Sequence, residues 1–168
     1  ALNGGPHFKL NPSISFFVAC ETEAEVDAAW EQLVEGGSVL MPLAAYPWSP
    51  KYGWLQDRFG LSWQLSWDKI ENVGQKFTPS LLFVGEQYGK AETALSLYTS
   101  IFHNSKVDGI LRYPEDNSAA GSIQHAQFAL DGLKVMVMDS DLAHQFQFNE
   151  AVSFVIHCET QAEVDYYW

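Results

Sequence analysis

Residues 13–19 alternate apolar and polar positions, with Ile14, Phe16 and Val18 on one side, which predicts a strand with one face in a core. A helix follows over 22–35. Val26, Trp30, Leu33 and Val34 recur at helical spacing, Thr22-x-x-Glu25 is a capping box at its start, and Gly36-Gly37 stops it. Segments 38–43, 52–58 and 62–67 read as strands separated by turn signals that include Asp57-Arg58-Phe59-Gly60. The polar stretch 68–77 reads as a linker. The same order then returns. Residues 79–84 form a strand, residues 89–102 a helix with Ala91, Ala94, Leu95, Tyr98 and Phe102 on one face, and 106–113, 122–130 and 133–139 three strands, the last two joined at Asp131-Gly132. The pattern is two β-α-β-β-β modules, at 1–67 and 78–139.

The chain also repeats itself. Residues 11–30 match residues 149–168 at 11 of 20 positions with a constant offset of 138, including Ser15/Ser153, Phe16/Phe154, Cys20/Cys158, Thr22/Thr160, Glu25/Glu163 and Trp30/Trp168. Thr160-x-x-Glu163 is a second capping box, so a strand over 152–157 and a helix from Thr160 are expected. This reads as the truncated start of a third module. Its apolar face (Val152, Phe154, Ile156, Val164, Trp168) lacks the strands that would cover it, which predicts a homodimer in which this tail packs on a partner chain.

Composition narrows the classes of partner. Hydrophobic residues make up 47% of the 168, charged residues 18%, and there are 11 Phe, 7 Tyr and 6 Trp, a packed globular composition. Nine Lys plus Arg against 21 Asp plus Glu give a net charge of −12, negative in both halves, which argues against nucleic acid as a partner. Apolar runs such as 16–20 and 135–138 are too short to span a membrane, and the start, Ala-Leu-Asn-Gly-Gly-Pro-His, shows no secretory signal. Two distant cysteines, Cys20 and Cys158, form neither a disulfide framework nor a zinc motif. A cytoplasmic location is expected.

The wording of the modules carries a resemblance. The segments F-V-A-C-E-T-E-A-E-V-D, G-G-S-V-L-M-P-L, W-S-P-K-Y-G-W-L-Q-D-R-F-G-L-S-W-Q-L and T-P-S-L-L-F-V-G resemble the PhnB-like branch of the vicinal-oxygen-chelate (glyoxalase and bleomycin-resistance) superfamily, often labelled 3-demethylubiquinone-9 3-methyltransferase. The resemblance implies an α+β fold in which paired βαβββ modules form a cupped mixed sheet around a pocket. It also implies an inverted order here: 1–67 is similar to the second half of one domain and 78–139 to the first half of the next. Three arrangements follow: a fragment of a tandem two-domain protein, pairing with a neighbouring chain, or pairing of the two modules within one chain. The implied function is a small-molecule enzyme, or a non-catalytic protein that sequesters a flat hydrophobic compound.

Strand alternation then sorts the candidates. Along 62–67, Trp63, Leu65 and Trp67 take the helix side, leaving Ser62, Gln64 and Ser66 toward the cup. Along 122–130, Ala126, Phe128 and Leu130 are expected in the core, with Ile123, His125 and Gln127 facing the other way. His125 is the candidate general base. Ser62, Gln64, Gln127, Trp48 and Trp54 are candidate pocket residues, the tryptophans, with Tyr52, as platforms for a flat ligand or as core. The superfamily's metal-ligand positions are held by Gln64, by serines (Ser80, Ser13 or Ser15) and by Met136 or Met138, so a divalent metal is not expected and no metal residue is named. The run Gly85-Glu-Gln-Tyr-Gly89-Lys90 looks like a phosphate loop but lacks its Ser/Thr, and no G-x-G-x-x-G follows a strand, which leaves S-adenosylmethionine without a motif. The cysteines sit beside acids, an environment that raises thiol pKa values.

Overall fold

The computed structural model describes residues 5–168; the first four residues of the stretch read for a secretory signal lie outside it. The first module is built from β1 (Ile14–Cys20), α1 (Glu23–Val34), β2 (Ser38–Tyr46), β3 (Ser49–Gln56) and β4 (Ser62–Trp67). A short helix α2 (Ile70–Val73) leads to the second, with β5 (Phe77–Phe83), α3 (Ala91–Ile101), β6 (Lys106–Arg112), β7 (Ile123–Leu130) and β8 (Leu133–Asp139). One more helix, α4 (Gln161–Tyr167), follows in the tail.

All eight strands join one open sheet in the order β2-β3-β4-β1-β5-β8-β7-β6. Each module contributes a parallel pair, β1 with β4 and β5 with β8, and the two halves meet where β1 runs antiparallel to β5 with Ser15 opposite Ser80. The modules therefore pair within one chain. The helices cover one face. Leu81, Phe83, Ala91, Leu95, Ala126, Phe128, Val135 and Val137 form the core beneath α3, and Val18, Cys20, Val26 and Leu65 the core beneath α1. Trp30 of α1 packs on Gly53 of β3, where an added Cβ would fall 2.4 Å from its ring, so the helix reaches the sheet only because that strand lacks a side chain there.

Both capping boxes form. The Thr22 and Thr160 hydroxyls each accept from the N–H of the glutamate three residues on, at 3.2 Å. The Glu25 and Glu163 carboxylates reach back one residue beyond the cap, to the N–H of Glu21 and of Glu159.

Four expectations change. β3 ends at Gln56 because the Asp57 carboxylate turns to accept from the N–H groups of Phe59 and Leu61 and from the Trp63 indole, which closes the turn before 58. The linker is not simply polar: Val73 of α2 is buried against Ala19 and Met136. Ile123 belongs to the core rather than the opposite face. Leu111 pairs with His125 but Arg112 with Ile123, so Gln124 is an extra residue in β7, a bulge that inverts the alternation on its N-terminal side. Finally, residues 152–157 form no strand. The place beside β5 that their sequence suits is already held by β1, and the tail lies instead on its own second module, with Phe148 against Phe83, Tyr167 stacked on Phe102 and the Tyr166 hydroxyl donating to the Ile101 carbonyl. Phe154, Ile156 and Val164 remain about half exposed and Trp168 fully so. Among the described residues, no helix is long and apolar enough to cross a membrane.

Candidate functional site

The face of the sheet away from the helices encloses a cavity of about 500 Å³ to which both modules contribute. Its walls follow from strand parity. Gln64 and Ser66 of β4, Ser80 and Leu82 of β5, and Met136 and Met138 of β8 point into it, while their neighbours Leu65, Leu81, Val135 and Val137 point into the helical cores. Phe17, Met41, Tyr52 and Trp54 complete the first-module side, and Leu111, Tyr113, Gln124, His125 and Gln127 the second. All three methionines of the chain line this one space.

The bulge in β7 has a direct consequence for the site. It turns two consecutive side chains, Gln124 and His125, toward the cavity. Burial alone pushes the His125 pKa below the ordinary histidine value, so the ring is neutral at pH 7, and it has no hydrogen-bond partner among the described residues. Gln127 is tied down, its amide donating to the Val73 carbonyl and to Asp108. Among the lining residues that the sequence did not single out are Ser140 and His144, whose Nε2 lies 2.8 Å from the Ser140 hydroxyl and whose pKa burial also lowers.

Gln64 is held at both ends of its amide. Its carbonyl accepts from the Tyr52 hydroxyl at 2.9 Å and its amide N–H donates to the Ser15 hydroxyl at 2.6 Å. Burial holds the Tyr52 hydroxyl protonated by pushing its pKa well above the ordinary tyrosine range. Ser62, on the same side of β4, does not line the cavity: it is fully buried and accepts the Trp54 indole N–H at 2.7 Å. Trp48 stands at the mouth, 60% exposed, with Tyr46 stacked on it at 5.0 Å.

The divalent metal implied by the superfamily does not fit these residues. Among the described residues no group of three or more His, Cys, Asp or Glu side chains is placed to hold an ion. The Gln64 oxygen already has a donor. The neighbouring groups are neutral hydroxyls, including the buried, unpartnered Thr78 Oγ1 and Ser80 Oγ, and thioethers, a poor set for a hard cation. The turn that looks like a phosphate loop is occupied by protein. Asp139, buried at the end of β8, accepts from the N–H groups of Gly89 at 2.8 Å and Ala91 at 3.3 Å at the start of α3, and from Ile123 at 3.0 Å. Neither thiol is activated as a thiolate: burial, then Glu25, push Cys20 up to about 11, and burial with Glu163 raises Cys158.

A second cavity, about 730 Å³, lies between α3, the edge of β8 and the tail, lined by Leu81, Phe83, Phe102, Phe148, Phe154 and Tyr167 among others. Gln87, Asp131, His157 and Glu163 bring polar side chains to its lining.

The model of the family described as 3-demethylubiquinone-9 3-methyltransferase matches residues 1–66 and 75–168, a break that falls on α2. No curated protein matches. Among solved structures, the PhnB protein of Bacillus cereus is 46% identical over 38% of this chain and 49% of its own, with a TM-score of 0.37. A Staphylococcus aureus protein is 33% identical over 33% of this chain and 47% of its own, with a TM-score of 0.32. A glyoxalase I mutant from Zea mays is 12% identical over 78% of this chain and 45% of its own, with a TM-score of 0.49. Each match spans half or less of the solved relative.

Proposed function

The chain belongs to the 3-demethylubiquinone-9 3-methyltransferase family, and from that premise we propose that it takes a flat, largely apolar small molecule into the cavity between its two modules. The observation that carries this reading is a concave, aromatic and thioether-walled space with one neutral, unpartnered imidazole, His125, aimed into it. Trp54 and Phe17 offer flat apolar surface, Met41, Met136 and Met138 adapt to its outline, and His125 with Gln124 supplies hydrogen bonds that fix orientation. S-adenosylmethionine is not part of the proposal, because the glycine-bearing turn that leads into α3 has the N–H groups of Gly89 and Ala91 taken by Asp139.

The neutral imidazole also favours a second reading, in which His125 takes a proton from the bound molecule as a general base. The experiment is calorimetric titration of wild type and His125→Ala with a panel of hydroxylated aromatic compounds, with product analysis of each mixture. His125→Ala is expected to weaken binding about tenfold, the worth of one hydrogen bond. Conversion of a compound by wild type but not by the variant establishes the enzyme; unchanged affinity overturns the placement of the ligand against His125.

Two further readings concern the tail. The half-exposed Phe154 and Ile156 and the fully exposed Trp168 support a homodimer in which residues 149–168 pack on a partner chain, and the repeat of 11–30 supports an origin in a tandem two-domain protein. Ultracentrifugation is expected to find a dimer at micromolar concentration and a monomer for a version ending at Ser140; a full-length monomer, or a truncated dimer, contradicts this. The free thiols support a reducing compartment, the cytoplasm.

A further inference from the structure

Charge in and around the cavity is one-sided. The chain has nine Lys plus Arg, and none of them lines the space between the modules. Lys51, Lys76, Lys106, Arg112 and Lys134 are paired with Glu23, Asp27, Glu25, Asp108 and Glu92, the Asp108 pairs lying behind Gln127 with their charges neutralised and outside the lining. The charged residues that do line it are Asp68 and Asp139. Asp139 has both oxygens engaged by backbone N–H groups, three in all. Asp68 is different: one oxygen accepts from the Asn72 amide and the Lys69 N–H, both at 2.7 Å, its second oxygen has no partner among the described residues, and the neighbouring Lys69 ammonium turns away to Glu71 at 3.2 Å.

The same cavity is lined by an aromatic platform on the approach to the neighbouring strand, β3. Tyr46 stacks behind Trp48 at 5.0 Å, Tyr52 meets both edge-on at 5.7 Å, and this packing fixes the orientation of an indole that is still 60% exposed at the cavity mouth. An indole face attracts cations through its quadrupole, and more strongly where water is partly excluded. A concave, low-dielectric site in a protein of net charge −12 concentrates negative potential at its opening. An anionic ligand would meet no positive group there and would have to lose water without compensation.

We propose that the cavity selects aromatic cations: its ligand is a flat molecule with a delocalised single positive charge, seated on Trp48 with the charge turned toward Asp68. This rests on the reading of the cavity as a small-molecule site and adds the charge of the occupant. The unpartnered Asp68 oxygen supplies the counter-charge, Trp48 the platform, and the thioether walls a polarisable lining that accepts a diffuse charge better than a compact ammonium.

The test uses three molecules of one shape at pH 8: N-methylacridinium, neutral acridine and acridine-9-carboxylate, with binding followed by probe fluorescence. The cation is expected to bind about tenfold tighter than acridine and the carboxylate weaker than either. Asp68→Asn should lower cation affinity several-fold and leave acridine unchanged; Trp48→Ala should lower both, the cation more. Because net charge alone attracts cations over long range, the series is repeated in about 0.5 M salt, where the screening length falls to a few ångströms. A preference that survives salt and is lost in the two variants supports the proposal. Equal affinity of the three probes, a preferred anion, a preference that vanishes in salt, or one unaltered in both variants overturns it. Tight binding of acridine that depends on His125, with no cation preference, overturns only the charge assignment; failure of all three to bind overturns the small-molecule reading as well.

Discussion

Asp139→Ala is expected to lower the stability of the protein by about 3–5 kcal/mol, because it strips the acceptor from three backbone N–H groups at once. Gly89 and Ala91 lie at the start of α3, whose own cap residue, Lys90, provides no side-chain bond, and Ile123 opens β7 beside the bulge. One carboxylate thus joins the end of one strand, the start of another and the first turn of a helix. Such a loss corresponds to a fall in Tm of about 10 °C for a chain of this length. Urea denaturation of Asp139→Asn, which keeps one acceptor oxygen, should fall between wild type and alanine. A cost below about 1 kcal/mol for the alanine variant would show that water or a rearranged turn replaces the carboxylate.

Gln64→Leu comes next, at about 2–4 kcal/mol. Leucine matches the volume but leaves the buried Tyr52 hydroxyl and the Ser15 hydroxyl without their partner. Gln64→Glu retains the acceptor for Tyr52 and should be damaged less at pH 5 than at pH 8, since burial favours its neutral form. The same geometry predicts metal content. Elemental analysis of purified wild type should find far less than one equivalent of zinc, nickel or iron, and near one equivalent, lost in Gln64→Leu, would contradict the assignment of Gln64 as a structural amide.

Much of the fold was legible because its signals are local. Alternation marked β1 and β4, the capping boxes marked both helix starts, and parity along 62–67 turned Gln64 toward the cavity, as the structure does. What escaped depends on contacts distant in sequence or on broken regularity. The bulge at Gln124 leaves no trace in composition, so strict alternation put Ile123 on the wrong face while still placing His125 correctly. Asp139 bonds to residues 16 to 50 positions away, and only its oddity, an acid closing the apolar run Val135–Met138, hinted at a buried partner. Ser140 and His144 reach the cavity through a turn after β8 that follows no period. The strand expected at 152–157 failed for a different reason. Its sequence suits a place in the sheet, and β1 already fills it.

Methionine methyl groups report on the central claim most directly, because Met41, Met136 and Met138 are the only methionines in the chain and all three line the cavity between the modules. Protein labelled with ¹³C at the methionine methyls should give three resonances, and titration with an aromatic fragment library should find compounds that shift them together, with the shifts weakened in Trp54→Ala and His125→Ala. Fragments that bind without moving any methionine methyl, for instance beneath the tail, or a library in which none binds at all, would contradict the account.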